Sequence, residues 1–229
     1  MRDFCALVLA IICACGPAPR HDNGGSNGQP DALCVAHCSQ DLRSVVDCND
    51  QLVSACGGTQ QCDTATAVCE DACTAAESNH RSVGCDYYAT AMDVEIESYC
   101  FAAFVANTWT SPVHINVSYR GQALSPASFA RIPVGAGPGL TYSNYDPVAG
   151  LPPHEVAILF LGGSSGAPPL CPVTTPAPTA GVNGTGIFDA FHITTDVPVV
   201  AYQINPYGGG SAAVTAASLL IPTSAWDTD

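Results

Sequence analysis

Thirteen cysteines in 229 residues constrain this chain more than any other feature, because seven of them fall between positions 34 and 73. So dense a set does not persist as free thiols in a reducing cytosol, and it points to export into an oxidising compartment. Cys5, Cys13 and Cys15 lie in or beside an N-terminal apolar run. The other ten are Cys34, Cys38, Cys48, Cys56, Cys62, Cys69, Cys73, Cys85, Cys100 and Cys171. Ten is even, as a closed disulfide framework requires. Cys34 and Cys38 are one helical turn apart, and so are Cys69 and Cys73. Leu42 and Val45 continue the first face, with Asp31 as its cap. Ala65 and Ala76 flank the second, with Asp63 as its cap. The spacing predicts an antiparallel α-helical hairpin over residues 31–80, stapled by Cys34–Cys73 and Cys38–Cys69, with one further bridge leaving it for Cys85. A unit this small has too little core to stand without such staples. Zinc is the alternative, since His37 sits beside Cys34 and Cys38, but structural zinc sites favour the shorter Cys-x-x-Cys knuckle.

Residues 1–15 read as an export signal. Met1, Arg2 and Asp3 precede an apolar run over 4–14 that is too short to span a bilayer and the right length for a secretory core. Ile12-Cys13-Ala14-Cys15 resembles a bacterial lipobox. That resemblance implies cleavage before Cys15, acylation of its thiol, and a membrane partner reached through the lipid anchor. Gly16 follows Cys15, which favours the outer membrane or cell surface over retention at the inner membrane. A plain cleaved signal peptide is the alternative. Residues 16–30 hold Gly and Pro and no aliphatic side chain larger than Ala, so they read as a flexible tether.

The formal net charge is −14, and all six basic residues are Arg. A nucleic-acid surface needs clustered Lys and Arg, so nucleic acid is not a partner. With 21 Gly and 18 Pro, turns and short strands outweigh long helices. From residue 81 to 229 short β-rich runs alternate with turns. Residues 100–105, 113–119, 128–134, 155–161, 187–194, 198–205 and 213–221 read as strands. The expected fold is mainly β, an antiparallel sandwich or barrel-like domain behind the small helical hairpin. Residues 162–186 read as a long loop anchored by a Cys100–Cys171 bridge. Asp196 and Pro198 read as a tight turn between two strands. Ile187, Phe191 and Ile193 then share one face, and Val200, Tyr202 and Ile204 face a core.

Residues 191–205 (FHITTDVPVVAYQIN), 218–229 (SLLIPTSAWDTD) and, more weakly, 82–89 (SVGCDYYA) resemble phrases of the IgGFc-binding protein N-terminal domain family. The resemblance implies a β-rich extracellular module that binds ligands without catalytic residues. In the family the Trp-x-Thr phrase is followed by more domain, so the resemblance also implies an incomplete, C-terminally truncated member.

Candidate chemistry is sparse. Gly162-Gly163-Ser164-Ser165-Gly166 fits Gly-x-Ser-x-Gly, with Asp189 and His192 following in hydrolase order, which makes a serine esterase through Ser164 a minor alternative. A nucleophile elbow needs a helix directly after the turn, and Ala167-Pro168-Pro169 cannot propagate one. Asp86, Asp93, Glu95 and Glu97 cluster without the spacing of a calcium loop, so a solvated face is the simpler reading. The His residues have no helical ligand spacing, and no metal or cofactor is expected. Asn116 and Asn183 head glycan-acceptor triplets that carry no meaning in a bacterial lipoprotein. The sequence therefore predicts a non-enzymatic surface-binding or adhesion lipoprotein, with an extracellular protein, glycan or envelope polymer as ligand. A structural envelope component or decayed fragment without a ligand is the alternative.

Overall fold

The computed structural model describes residues 35–91, 99–163, 171–182, 184–209 and 215–226. Cys15, Cys34, Ser164, Asp93, Glu95 and Glu97 lie outside them. Residues from Val35 onward belong to one unit. Among the described residues no helix is long and apolar enough to cross a membrane.

The Cys-rich segment is not a helical hairpin. Strands β1 (His37–Cys38), β2 (Ser44–Val46) and β3 (Leu52–Ala55) form a three-stranded antiparallel sheet, and β4 (Gln60–Asp63) pairs with β5 (Val68–Asp71). One helix follows, α1 (Ala72–Asn79). The first predicted helix fails because short polar side chains capture the backbone. Ser39 Oγ and the Arg43 N–H both donate to Asp41 Oδ1, and Leu42 takes a left-handed φ of 60°. Asp47 does the same for Asn49 and Gln51. Such local bonds offer the chain a turn in place of a helix. Asp63, expected as a cap, instead closes the β4–β5 turn by accepting from Ala65 N and Thr66 Oγ1. The cap is Asp71, which accepts from Cys73 N and Thr74 N.

The disulfide pairing differs accordingly. Cys38 bonds Cys62, Cys56 bonds Cys69 and Cys73 bonds Cys85; neither Cys34–Cys73 nor Cys38–Cys69 forms. Cys62 and Cys69 face each other across β4 and β5, yet each reaches a different partner. Cys48 is also disulfide-bonded. The Cys100–Cys171 bridge expected from the sequence is present.

The rest is a curled, half-barrel antiparallel sheet of nine strands. Its members are β6 (Gly84–Ala89), β7 (Phe101–Ala106), β8 (Ile115–Tyr119), β9 (Gln122–Leu124), β10 (Ala130–Val134), β11 (Thr141–Asn144), β12 (Val156–Gly162), β13 (Phe191–Asn205) and β14 (Ala216–Leu219). A one-turn helix, α2 (Pro126–Phe129), precedes β10. The path runs β11-β10-β12-β7-β13-β8-β9, and β6 and β14 also pair with β13.

Strand β13 corrects the expected hairpin. Residues 187–194 and 198–205 are not two strands around a turn, because Phe191–Asn205 is one strand of 15 residues. The alternation never changes phase. Phe191, Ile193, Val197, Val199 and Ala201 all enter the main core, and His192, Thr194 and Asp196 point away from it. Ile187 is exposed outside the strand. Tyr202 and Ile204 lie on the opposite face and pack against a second cluster of Phe104, Ile158, Phe160 and the Cys100–Cys171 bridge. The first part of β13 pairs with β6 and β8, and the last part with β7 and β14. Where the partners change, Tyr87 fills the gap: its buried hydroxyl accepts from Gly84 N at 2.8 Å and donates to the Val199 carbonyl at 2.6 Å.

Asp196 sits at that change of partners. Its carboxylate takes the His114 N–H at 2.8 Å and His114 Nδ1 at 2.7 Å. His114 Nε2 lies 3.3 Å from the Val148 carbonyl. Neither acceptor has a proton to give, so both ring nitrogens donate together only in the imidazolium form. The Asp196 side chain, and then the Val148 carbonyl, raise the His114 pKa above its ordinary value. A raised folded-state pKa adds stability that is fully present at pH below 6.5 and is lost as pH rises through the folded value. The two side chains are each about half exposed, so the effect is under about 1 kcal/mol. Urea midpoints measured from pH 5 upward should fall as His114 deprotonates, and His114→Gln should flatten that slope. Equal slopes in the two proteins would show that the pair contributes nothing.

Candidate functional site

The face of β6, β13 and β8 that points away from the main core is set by strand register. Tyr88 lies opposite His192, which lies opposite Ser118. Asp86 lies opposite Thr194, which lies opposite Asn116. Because alternation buries Phe191 and Ile193 inside, it delivers His192 and Thr194 to this outer face. Cross-strand neighbours are close enough to touch. The Tyr88 and His192 rings stack, with centroids 4.6 Å apart and planes 10° apart. His192 Nε2 lies 3.0 Å from Asp86 Oδ2.

A third ring comes from the C-terminal segment. A 3₁₀ turn over Thr223–Ala225 carries Trp226, whose indole lies 5.9 Å from Tyr88 at a 46° tilt. Trp226 Nε1 donates to the Ile221 carbonyl, which fixes the ring's orientation. The turn sits directly on the backbone of β6: a Cβ at Gly84 would lie 2.6 Å from Pro222 Cβ. On its other side His80, the left-handed C-cap of α1, bonds the Ser224 carbonyl through Nδ1.

The result is an exposed aromatic surface beside polar groups. Tyr88 is 42% and Trp226 50% exposed, and Ile221, whose carbonyl Trp226 bonds, is exposed as well. Asp86 Oδ1 is buried and has no hydrogen-bond partner. Thr194, Asn116 and Ser118 continue the same face as hydroxyls and an amide. Ring faces of this kind supply contact area at low entropy cost, and the polar groups fix orientation. The arrangement can hold a ligand that is flat and apolar on one side and rich in donors on the other.

Other residues singled out in the sequence fall elsewhere. His192 pairs with Asp86 and not with Asp189, whose carboxylate binds Arg120 Nε at 2.7 Å. Cys38 is oxidised onto Cys62 and His37 lies 3.3 Å from Asp50, so neither is arranged around zinc. Among the described residues no group of three His, Cys, Asp or Glu side chains is placed to hold a metal ion. In the second cluster Phe104, Tyr142, Phe160, Tyr202 and Tyr207 pack together, and the Tyr142 and Tyr207 hydroxyls share a 2.6 Å bond. Burial pushes the Tyr202 and Tyr207 phenols up. The rings there hold the Cys171 loop in place.

Sequence reasoning gave Tyr88 and Trp226 no role. The available signal was phase: His192 is out of step with Phe191 and Ile193, so it cannot share their core. Nothing in the sequence joins Trp226 to Tyr88 across more than a hundred residues. No family model, no curated protein and no solved structure matches the chain.

Seating of the C-terminal turn can be tested. Gly84→Ala drives a methyl group into Pro222 and should cost about 1–3 kcal/mol, read as a lower urea midpoint with altered near-ultraviolet dichroism from Trp226. An unchanged midpoint and spectrum would show that the turn is not held against β6.

Proposed function

We propose that the protein is a non-enzymatic, exported binding module that recognises an extracellular glycoprotein or envelope polymer. The observation that carries this reading is the exposed Tyr88–His192–Trp226 surface with the partly exposed Asp86 carboxylate beside it. Single exposed apolar residues need no explanation, but aromatic rings fixed side by side at a polar rim are what ligand surfaces use. Stacked faces accept the apolar side of a sugar ring or a peptide side chain, and Asp86, Thr194, Asn116 and Ser118 offer acceptors and donors for its hydroxyls or amides.

Two further elements belong to the same proposal. The chain is a member of the IgGFc-binding protein N-terminal domain family. That rests on residues 82–89, 191–205 and 218–229, and each of these stretches gives this face a side chain: Tyr88, His192 and Trp226. The protein is also tethered to the cell envelope, at the outer membrane or cell surface, through acylated Cys15. The disulfides of the described residues suggest an extracellular or other oxidising compartment, which suits that address.

The experiment is retention of the protein on immobilised glycoproteins and purified envelope polysaccharides, read by surface plasmon resonance. Saturable retention is expected on at least one surface. Trp226→Ala and Tyr88→Ala should each weaken it about 30-fold, the scale of an interface hot spot. Retention that ignores both substitutions, or no retention on any surface, would overturn the reading in favour of a structural envelope component. Intact mass of the protein from its host tests the anchor. A chain that begins at Cys15 and carries acyl mass supports it, and an unmodified N-terminus removes it.

A further inference from the structure

The four described arginines divide into two pairs. Arg120 is bound to Asp189. Arg131 donates to the carbonyls of Ala127, Ala130 and Ser128. The guanidinium groups of Arg43 and Arg81 form no hydrogen bond or ion pair among the described residues, although the chain carries a net charge of −14. Both line the same cleft, a space of about 460 Å³ between the Cys-rich segment and the half-barrel. In so acidic a protein, two cations without carboxylate partners at one opening is the reverse of what random placement gives.

The position of Arg43 is built. Its guanidinium carbon lies 3.6 Å over the ring centroid of Trp109. That indole is itself nearly fully buried. The backbone that carries it is held because Asn107 Oδ1 accepts the main-chain N–H of Trp109 at 2.8 Å, while the Asn107 amide donates to the carbonyls of Ser111, Leu151 and Pro152. The indole occupies the face of the guanidinium and leaves its N–H edge to bind, which is the fork that matches a carboxylate. Burial without a paired anion pulls the Arg43 pKa down, and only the more distant charge of Asp41 opposes this. Asp41 lines the cleft too, but its Oδ1 is held in its own turn by Ser39 Oγ and the Arg43 N–H, and it makes no ion pair with the guanidinium. Gln61 supplies the complementary feature. It lines the same cleft, and its Oε1 is buried without a donor.

We propose that this cleft is a second binding site, which takes a carboxylate-bearing, hydroxylated ligand through Arg43 and Arg81, with a ligand hydroxyl donating to Gln61. The acid is either a free sugar acid or the uronate unit of a polymer, and one chemistry serves both. This site is separate from the aromatic face and does not depend on it.

The test is isothermal titration of the folded, oxidised protein with glucuronate, glucose, acetate and an oligogalacturonate. Glucuronate should bind at one saturable site, at least tenfold more tightly than glucose, which lacks the charge, and than acetate, which lacks the hydroxyls. Arg81→Gln, at an exposed position, should weaken glucuronate at least tenfold without lowering the melting temperature. Arg43→Lys, which keeps the charge and loses the planar fork, should do the same. Asp41→Asn should strengthen binding by removing a like charge, an effect that damage to the fold would not produce. Trp226→Ala should leave glucuronate binding intact, so the two sites stand or fall separately. Equal affinity for monomer and oligomer assigns a free acid, and tighter binding of the oligomer assigns a polymer. Glucuronate binding that is absent, that equals glucose binding, or that survives both arginine substitutions overturns the proposal.

Discussion

Between Asp196 and Pro198 the central strand pairs with neither set of its partners. Pairing with β6 is in register to Thr194 and resumes only at Val199; pairing with β8 ends at Thr195, and that with β7 begins at Val200. Pro198 has no N–H to offer a ladder, which suits it to this gap. Polar groups left unpaired in a core cost about 1–3 kcal/mol each, and side chains take over. Thr195 Oγ1 bonds the Val197 carbonyl, Tyr87 bonds the Val199 carbonyl, and Asp196 reaches out to His114. These bonds let one strand serve two groups of neighbours. That continuity lets the sheet curl around the main core, to which strands on both sides of the gap contribute.

The same gap explains which parts of the fold are legible in the sequence. Strands β7 and β12 are apolar on both faces, because Phe101, Ala103 and Val105 enter the main core while Ala102 and Phe104 enter the second cluster. Their unbroken apolar runs mark them as strands from composition alone. Strand β8 alternates cleanly and is equally plain. Asp196 and Pro198 are turn-forming residues, and local chemistry reads them as a turn. The contrary evidence was that Phe191, Ile193, Val197, Val199 and Ala201 hold one phase across them. A turn has no reason to preserve that phase.

The Cys-rich segment misleads for a different reason. A Cys-x-x-x-Cys spacing fits a helix face, but it fits equally two positions that leave in different directions, as Cys69 on β5 and Cys73 on α1 do. The decisive signals were the Ser-Gln-Asp and Asp-Cys-Asn-Asp stretches, whose side chains capture backbone donors before a helix can start. Buried apolar residues in this segment are few, mainly Leu42, Val45, Val46 and three alanines of α1. Closing loops of 24, 13 and 12 residues contributes about 3 kcal/mol each in the chain-entropy account, which exceeds what so small a core supplies. Bridge connectivity follows from the three-dimensional path and was not available from spacing.

Stapling and the geometry of the aromatic face are therefore joined physically. Trp226 is placed by a turn that rests on Gly84 and is bonded by His80, the last cap of α1. Helix α1 is tied to β6 through Cys73–Cys85, one residue from Gly84 and three from Tyr88. The aromatic face thus depends on one contact with β6, at Gly84, and one with the disulfide-stapled segment, at His80. Reduction would remove the covalent link at the point where His80, Gly84 and Tyr88 must keep their spacing. Much of the conformational freedom restored to α1 would pass to the turn that carries Trp226. An oxidising surrounding is then a condition for the geometry of the face as well as for the persistence of the fold.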